Sequence, residues 1–235
     1  MEASAEDMLT FASFNGQPDW LLRRESIYGG EGQIPVLQFI DRVIKGRRAL
    51  RMLAEFDVHV PEFQYFVASE RVGGPSRLFT IVERVYGQNI LEMGELRGSI
   101  VCAMERAFVG FLKYLRSARA SGLPFWTDFS LRQFMYGSTR SNSDERCYMV
   151  DVEPYVATWP PSSDASSEAY VLATRSYIMQ LMHVFLDLKE LESRSRKHVR
   201  LKRARRFLET AVRATPHAAY YEEFRGNLIE LLLTS

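Results

Sequence analysis

The chain has 235 residues, of which 46% are hydrophobic and 25% are charged, as in ordinary globular proteins. Its net charge of +1 provides no general attraction to nucleic acids or anionic membranes, so nucleic acid is not an expected partner. Two cysteines give neither a disulfide framework nor a metal-type spacing, and no apolar run approaches the roughly 18 residues that span a bilayer.

The amino-terminal part predicts strands and one helix. It begins with MEASAEDML, which lacks the basic and apolar stretches of a signal peptide, so a cytoplasmic location is expected. Residues 8–14 and 20–24 have the composition of strands, and the turn-forming residues 15–18 separate them. Apolar side chains at helical spacing predict a helix over residues 34–53, with Pro35 in its first turn.

Two further strands are predicted at residues 62–69 and 77–85, with a turn at the glycines and proline of residues 73–75. The glycine-rich residues 29–33, GGEGQ, lack the order GxGxxG of a phosphate-binding loop. They are therefore predicted to form a flexible loop and not a phosphate-binding loop.

A long helix is predicted over residues 96–120, because one continuous apolar stripe runs along it. The sequence SGLP at residues 121–124 ends it. Cys102 is expected to be a buried thiol of this helix, and Cys147 a buried thiol at the start of a strand. The stripe, expected to be core, comprises Ile100, Met104, Ala107, Phe108, Phe111, Leu112 and Leu115.

A β-hairpin is predicted next, from two apolar runs at residues 133–136 and 147–152 around a polar loop. Asp128 precedes the first strand and Asp151 ends the second. In a twisted hairpin these ends lie near one another, so two carboxylates there could hold a divalent cation and orient an attacking hydroxyl. The alternative is structural: Asp128 starts a turn and Asp151 ends a strand.

The carboxyl-terminal part predicts helices. Residues 168–188 form an apolar helix that contains His183, expected to be a packed core residue and not a ligand. The segment from Arg194 to Arg206 carries eight Lys or Arg and no acid, which indicates either a solvated helix face or a site for an acidic partner. A last helix is predicted at residues 220–233.

The sequence from Asp128 to Glu153 resembles the catalytic core of the protein-kinase-like fold, especially its small-molecule branch, the aminoglycoside and choline kinase type. That family has an Asp, an Asn five residues later, a hairpin, and an Asp followed by an apolar residue and Glu. Asp128 and Asp151 match the two acids, and Gln133 stands where Asn is expected. The resemblance implies that Asp128 is the catalytic residue and that Gln133 and Asp151 bind Mg²⁺.

The same resemblance implies a bilobal α+β fold, with residues 1–87 as a reduced β lobe carrying one helix and residues 88–235 as a larger helical lobe. ATP and Mg²⁺ would bind between the lobes. Arg23, or Arg24 with a shift of one residue, would take the place of the phosphate-binding lysine. Glu83 and Val85 would lie in the interlobe hinge beside the adenine.

Three departures from the family pattern keep alternatives open. No glycine-rich loop covers the nucleotide, no Glu stands near Gly46 to pair with a lysine, and Gln133 replaces Asn. The first expected function is an atypical phosphotransferase that acts on a hydroxyl of a small molecule or protein. The second is an inactive, pseudokinase-like binding module. The third is a scaffold that binds an acidic partner through the basic segment from Arg194 to Arg206.

Overall fold

A computed structural model of the protein describes residues 11–14, 16–24, 36–69, 72, 76–93, 96–126, 129–152, 157–158, 176–177, 180–181, 183–185, 187–188 and 206. Over these residues the architecture is mixed α+β, with small antiparallel sheets, and the expected class is confirmed at that level. In chain order the elements are β1 (Phe11–Phe14), β2 (Gln17–Arg24), α1 (Val36–Leu53), β3 (Phe63–Ser69), β4 (Ser76–Glu83), β5 (Tyr86–Asn89), α2 (Gly98–Ser121), β6 (Phe125–Trp126), β7 (Phe134–Ser138), β8 (Arg146–Met149) and β9 (Ala157–Thr158).

The first sheet has the strand order β1-β2-β4-β3, and every neighbouring pair in it is antiparallel. Gly16 closes the β1–β2 turn at a φ of 70°, which glycine adopts without steric cost. The predicted turn over residues 15–18 is too long, because Gln17 and Pro18 already belong to β2. Pro18 lies where the β1–β2 register shifts, and a strand tolerates proline at such an irregularity.

Helix α1 connects β2 to β3, and it buries a different face from the one that its first apolar residues suggest. Ala49, Leu50 and Leu53 pack into the core, whereas Ile40 and Ile44 are exposed. The carboxyl-terminal half therefore anchors this helix. A 3-10 turn follows at Ala54–Phe56.

The second sheet has the strand order β5-β7-β8, and β7 and β8 form the predicted hairpin. Strand β5 was not predicted, since its sequence, YGQN, contains one β-prone residue only. Gly87 of β5 and Gly137 of β7 are directly paired. A Cβ atom on either would collide with the partner strand's backbone, so two glycines permit this close pairing.

Helix α2 is the centre of the hydrophobic core, as predicted. All seven residues of its apolar stripe are buried. The expected burial of Cys147 is also confirmed, and burial raises the pKa of its thiol well above the usual value. The expected burial of Cys102 is wrong, because that side chain is exposed. Cys102 lies two residues from both Ile100 and Met104, which places it on the opposite side of the helix.

The described positions between residues 176 and 188 are helical. Leu181, Val184, Phe185 and Leu188 form the buried stripe, and His183 is exposed beside it. The expectation that His183 packs in the core is therefore wrong. Arg206 is the one described residue of the basic segment, and the predicted helix at residues 220–233 lies outside the described residues. Among the residues described, no helix has the length and apolar character needed to cross a membrane.

Candidate functional site

An ion pair joins the first sheet to the chain just beyond the hairpin. The Nη1 atom of Arg23 lies 3.6 Å from Oδ1 of Asp151. Arg23 is on β2, an interior strand of its sheet, where it pairs with Phe11 on one side and Thr80 on the other. Both charged side chains are largely removed from solvent, with exposed fractions of 9% and 20%. Low exposure strengthens their attraction and makes each dependent on the other.

Gln133 contacts the same carboxylate. Its Nε2 donates to Oδ2 of Asp151 at 3.0 Å. Gln133 was predicted to begin a strand, but in the structure it ends the 3-10 turn Leu131–Gln133. The side chains of Ser130 and Gln133 each cap the other's backbone, and Oε1 of Gln133 accepts from the Ser130 N–H at 3.1 Å. Both ends of the amide are therefore engaged, and Oε1 keeps one lone pair beyond the one that accepts from Ser130.

Three backbone contacts hold the segment that carries Asp151. Val150 N–H donates to the Gln133 carbonyl at 2.8 Å, and Met149 N–H donates to the His59 carbonyl at 2.9 Å. The hydroxyl of Tyr65, on β3, donates to the Val152 carbonyl. Asp151 thus lies between two anchored neighbours, one of them tied to the first sheet. Sequence reasoning missed Tyr65, since a tyrosine on an ordinary strand carries no sign of such a contact.

Glu83 and Val85, the predicted hinge residues, are both buried. The Glu83 carboxylate is not directed at an open site: it accepts from the Ser141 N–H and from the Ser141 hydroxyl, both at 2.7 Å. Ser141 belongs to the β7–β8 loop, so this acid fixes the hairpin against the end of β4. Because the carboxylate binds Ser141, a contact between Glu83 and an adenine ring would have to come from the Glu83 backbone.

A second acid, Asp19, binds the same loop. Its carboxylate accepts from the hydroxyl of Tyr86 at 2.6 Å and from Nη1 of Arg140 at 2.7 Å. These two hydrogen bonds, that of Tyr86 first, hold the pKa of the Asp19 carboxyl below its usual value. The sequence separation between Asp19 and Arg140 hid this contact, which fixes the hairpin loop to β2.

Asp128, the predicted catalytic residue, lies outside the described residues, and so does Glu153. Arg24, the alternative to Arg23, is in β2 opposite Phe79. The described part of the chain contains no cluster of three or more His, Cys, Asp or Glu that could hold a metal ion. Asp151 supplies one carboxylate of the hard type that Mg²⁺ prefers. The structure therefore brings together Arg23, Gln133 and Asp151 of the predicted site.

No family model matches this chain, and no curated protein matches it. The function is therefore proposed from the side-chain geometry together with the resemblance described for the sequence. The main feature of this site is the buried ion pair between Arg23 and Asp151, which lies between the two sheets. The Gln133 amide binds the same carboxylate.

Proposed function

We propose that this protein is an atypical kinase-like phosphotransferase that binds ATP and Mg²⁺ between the first sheet and the hairpin. The order of elements supports the proposal. Two strands, a helix and two strands come first, and a long helix and a hairpin ending at an acid come later. This is the order that the resemblance implies for a reduced amino-terminal lobe, residues 1–87, followed by a helical lobe, residues 88–235.

The observation that carries the proposal is the ion pair between Arg23 and Asp151. Phosphoryl transfer needs a cation on the phosphates and an acid on the metal, held together in one cleft. Arg23 has the charge and the planar donors to bind two phosphate oxygens. Asp151 has the carboxylate to hold Mg²⁺, which would neutralise phosphate charge when bound. A nucleotide would separate this pair and satisfy both partners.

Asp128 completes the proposal as the residue that would orient the hydroxyl of the acceptor. A carboxylate in that role directs the nucleophile and accepts its proton during transfer. The acceptor would be a small molecule or a protein side chain bearing a hydroxyl group.

A second candidate function is a binding module of the pseudokinase type, which would hold a nucleotide without transferring phosphate. The Gln133 amide favours it, because its oxygen is bound to Ser130 and its nitrogen to Asp151. In this arrangement Gln133 positions the Asp151 carboxylate and contributes less to binding a metal itself. Mg²⁺ demands near-octahedral oxygen ligation, which one carboxylate and water would meet less tightly.

Thermal unfolding with ATP, with Mg²⁺ and with both tests nucleotide binding. A ligand that binds only the folded state raises Tm, and we expect a rise that requires both components. Asp151→Asn should abolish the rise. The matched control is Asp144→Asn, an acid of the same hairpin with a side chain 74% exposed. The proposal fails if ATP and Mg²⁺ leave the wild-type Tm unchanged, or if the two variants respond alike.

Turnover separates the two candidates. The phosphotransferase would hydrolyse ATP slowly or phosphorylate an acceptor, and Asp128→Asn would lower that rate by two or more orders of magnitude, roughly the contribution of a general base. The binding module would show the Mg²⁺-dependent rise in Tm, and neither the wild type nor Asp128→Asn would show turnover.

A further inference from the structure

A cavity of about 420 Å³ lies against α2, on the face opposite the buried apolar stripe of that helix. Six of the α2 residues whose side chains the structure describes line it, and their spacing of three or four residues places them on one face of the helix. The opposite wall comes from the 3-10 turn after α1 and from the helical positions near residue 185. The α2 residues are Cys102, Glu105, Arg106, Val109, Gly110 and Lys113.

The inner wall of the cavity is apolar and fixed. Phe56, Val109 and Phe185 form it. The Phe56 ring meets the edge of the buried Tyr114 ring at a centroid distance of 6.4 Å. The Phe185 ring meets Phe108 of the core in the same manner at 6.3 Å. Each of these two rings packs against an aromatic side chain of the core, which favours a wall that is already formed before a ligand binds.

Gly110 lets the turn after α1 approach α2 closely beside the cavity. A Cβ atom there would lie 2.1 Å from the carbonyl oxygen of Phe56, far inside contact distance. The absence of a side chain lets the 3-10 turn rest directly on α2. The backbone of the turn is therefore in contact with the helix next to the cavity.

Charged side chains border the cavity, and cations outnumber acids among those in the described part of the chain. Arg106 and Lys113 are exposed on the same face of α2, and their separation of seven positions corresponds to about 10 Å along the helix. Arg206 adds a third cation to the lining, while Asp57 and Glu105 contribute two acids. Among the lining residues that the structure describes, three cations and two carboxylates leave one positive charge, which favours an anion at the mouth.

We propose that this cavity binds a small organic anion: an aromatic or aliphatic body against Phe56, Val109 and Phe185, and a carboxylate, phosphate or sulfonate at Arg106 and Lys113. The volume lies within the range of natural small-molecule sites. The apolar wall supplies burial for the body, and the two cations supply charge-assisted hydrogen bonds for the anionic group. This site shares no residue with Arg23, Gln133 and Asp151, and it does not depend on the phosphotransferase proposal.

Two probes that differ by one charge test the proposal on the full chain. The first is 1-anilinonaphthalene-8-sulfonate, and the second is N-phenyl-1-naphthylamine, which has the same rings without the sulfonate. We expect the sulfonate to bind at one site per chain. The double variant Arg106→Ala/Lys113→Ala should weaken sulfonate binding about tenfold or more, because one lost charge-assisted hydrogen bond is already worth about that factor. It should leave binding of the uncharged amine within about twofold.

The control for these variants is Arg47→Ala/Arg48→Ala, which removes two exposed cations from α1. It should leave the binding of both probes unchanged. An equal loss of sulfonate affinity in the control and the cavity variant would overturn the proposal, since the attraction would then be general. So would an unchanged affinity in the cavity variant.

Cys102 gives an independent readout, because its exposed thiol lies in the cavity lining. Saturating sulfonate should slow the alkylation of Cys102 by iodoacetamide severalfold, while the buried Cys147 serves as the internal reference in the mass spectrum. Val109→Trp, which fills the cavity, should weaken sulfonate binding and slow Cys102 alkylation without any probe. Alkylation that the sulfonate leaves unchanged would place the probe elsewhere and overturn the proposal.

Discussion

The guanidinium of Arg23 and the carboxylate of Asp151 lie 3.6 Å apart, at the place where the first sheet meets the end of the hairpin. Arg23 belongs to β2 of the first sheet, and Asp151 lies two residues beyond β8 of the second. Both side chains are mostly buried. A buried charge that loses its partner lowers the stability of the fold. Removing either side chain should therefore reduce the free energy of unfolding. The pair therefore couples the two parts of the fold and at the same time defines the candidate site.

The first prediction concerns the energy of this pair. Arg23→Met and Asp151→Asn should each lower the free energy of unfolding by about 2–4 kcal/mol, because each leaves a charge in a poorly solvated place. The double variant should lose less than the sum, with a coupling of about 1 kcal/mol or more. Urea unfolding of the four proteins measures it. Strict additivity would show that the two side chains do not interact in solution.

The second prediction concerns Gln133, which binds Asp151 and Ser130 through one amide. Gln133→Leu keeps similar volume but removes both hydrogen bonds, one of them to a charged group. We expect a loss of about 2 kcal/mol in the free energy of unfolding. Arg132→Leu, at the exposed neighbouring position, is the control and should change stability by less than about 0.5 kcal/mol. Equal effects would mean that the amide contacts contribute nothing.

Much of this fold follows from local pattern. The apolar stripe of α2 repeats every three to four residues over about four turns, and the two strands of the hairpin enclose a loop without apolar residues. Arg23 and Asp151 could be brought together from sequence because a resemblance linked their segments. The solvent-facing position of Cys102 could also have been found, since it lies two residues from each of Ile100 and Met104.

The remaining features depend on contacts that no local pattern encodes. Glu83 binds Ser141, and Asp19 binds Arg140. In each case an ordinary strand residue meets a loop residue far away in the chain, so neither partner has an unusual neighbour in sequence. Tyr65 meets the Val152 carbonyl in the same way. Tertiary packing, and not periodicity, creates these hydrogen bonds, and they decide how the hairpin is held.

The third prediction concerns the contact between Glu83 and the hairpin loop. Ser141→Ala removes the hydroxyl that donates to the buried Glu83 carboxylate and leaves the backbone N–H in place. The free energy of unfolding should fall by about 1.5–3 kcal/mol, the usual value for one hydrogen bond to a charged acceptor. Ser143→Ala, at an exposed position of the same loop, is the matched control and should have no effect. A loss of the same size in both variants would assign the effect to the loop backbone and not to Glu83.

The last prediction is a dependence on pH through His59, which is half-buried beside Tyr148 and whose carbonyl accepts from Met149. Burial first, and then the nearby charge of Arg146, lowers the pKa of His59 below its usual value of 6.5. The unfolded chain therefore binds a proton more readily than the folded one. Stability is complete above pH 6.5 and decreases as the pH falls from 6.5 through the lower pKa of the folded protein. Wild type should lose Tm between pH 7.5 and pH 5.5, and His59→Gln, which cannot titrate, should lose less. His183→Gln, at an exposed position, is the control and should follow wild type. An identical loss in wild type and His59→Gln would assign the pH dependence to other groups.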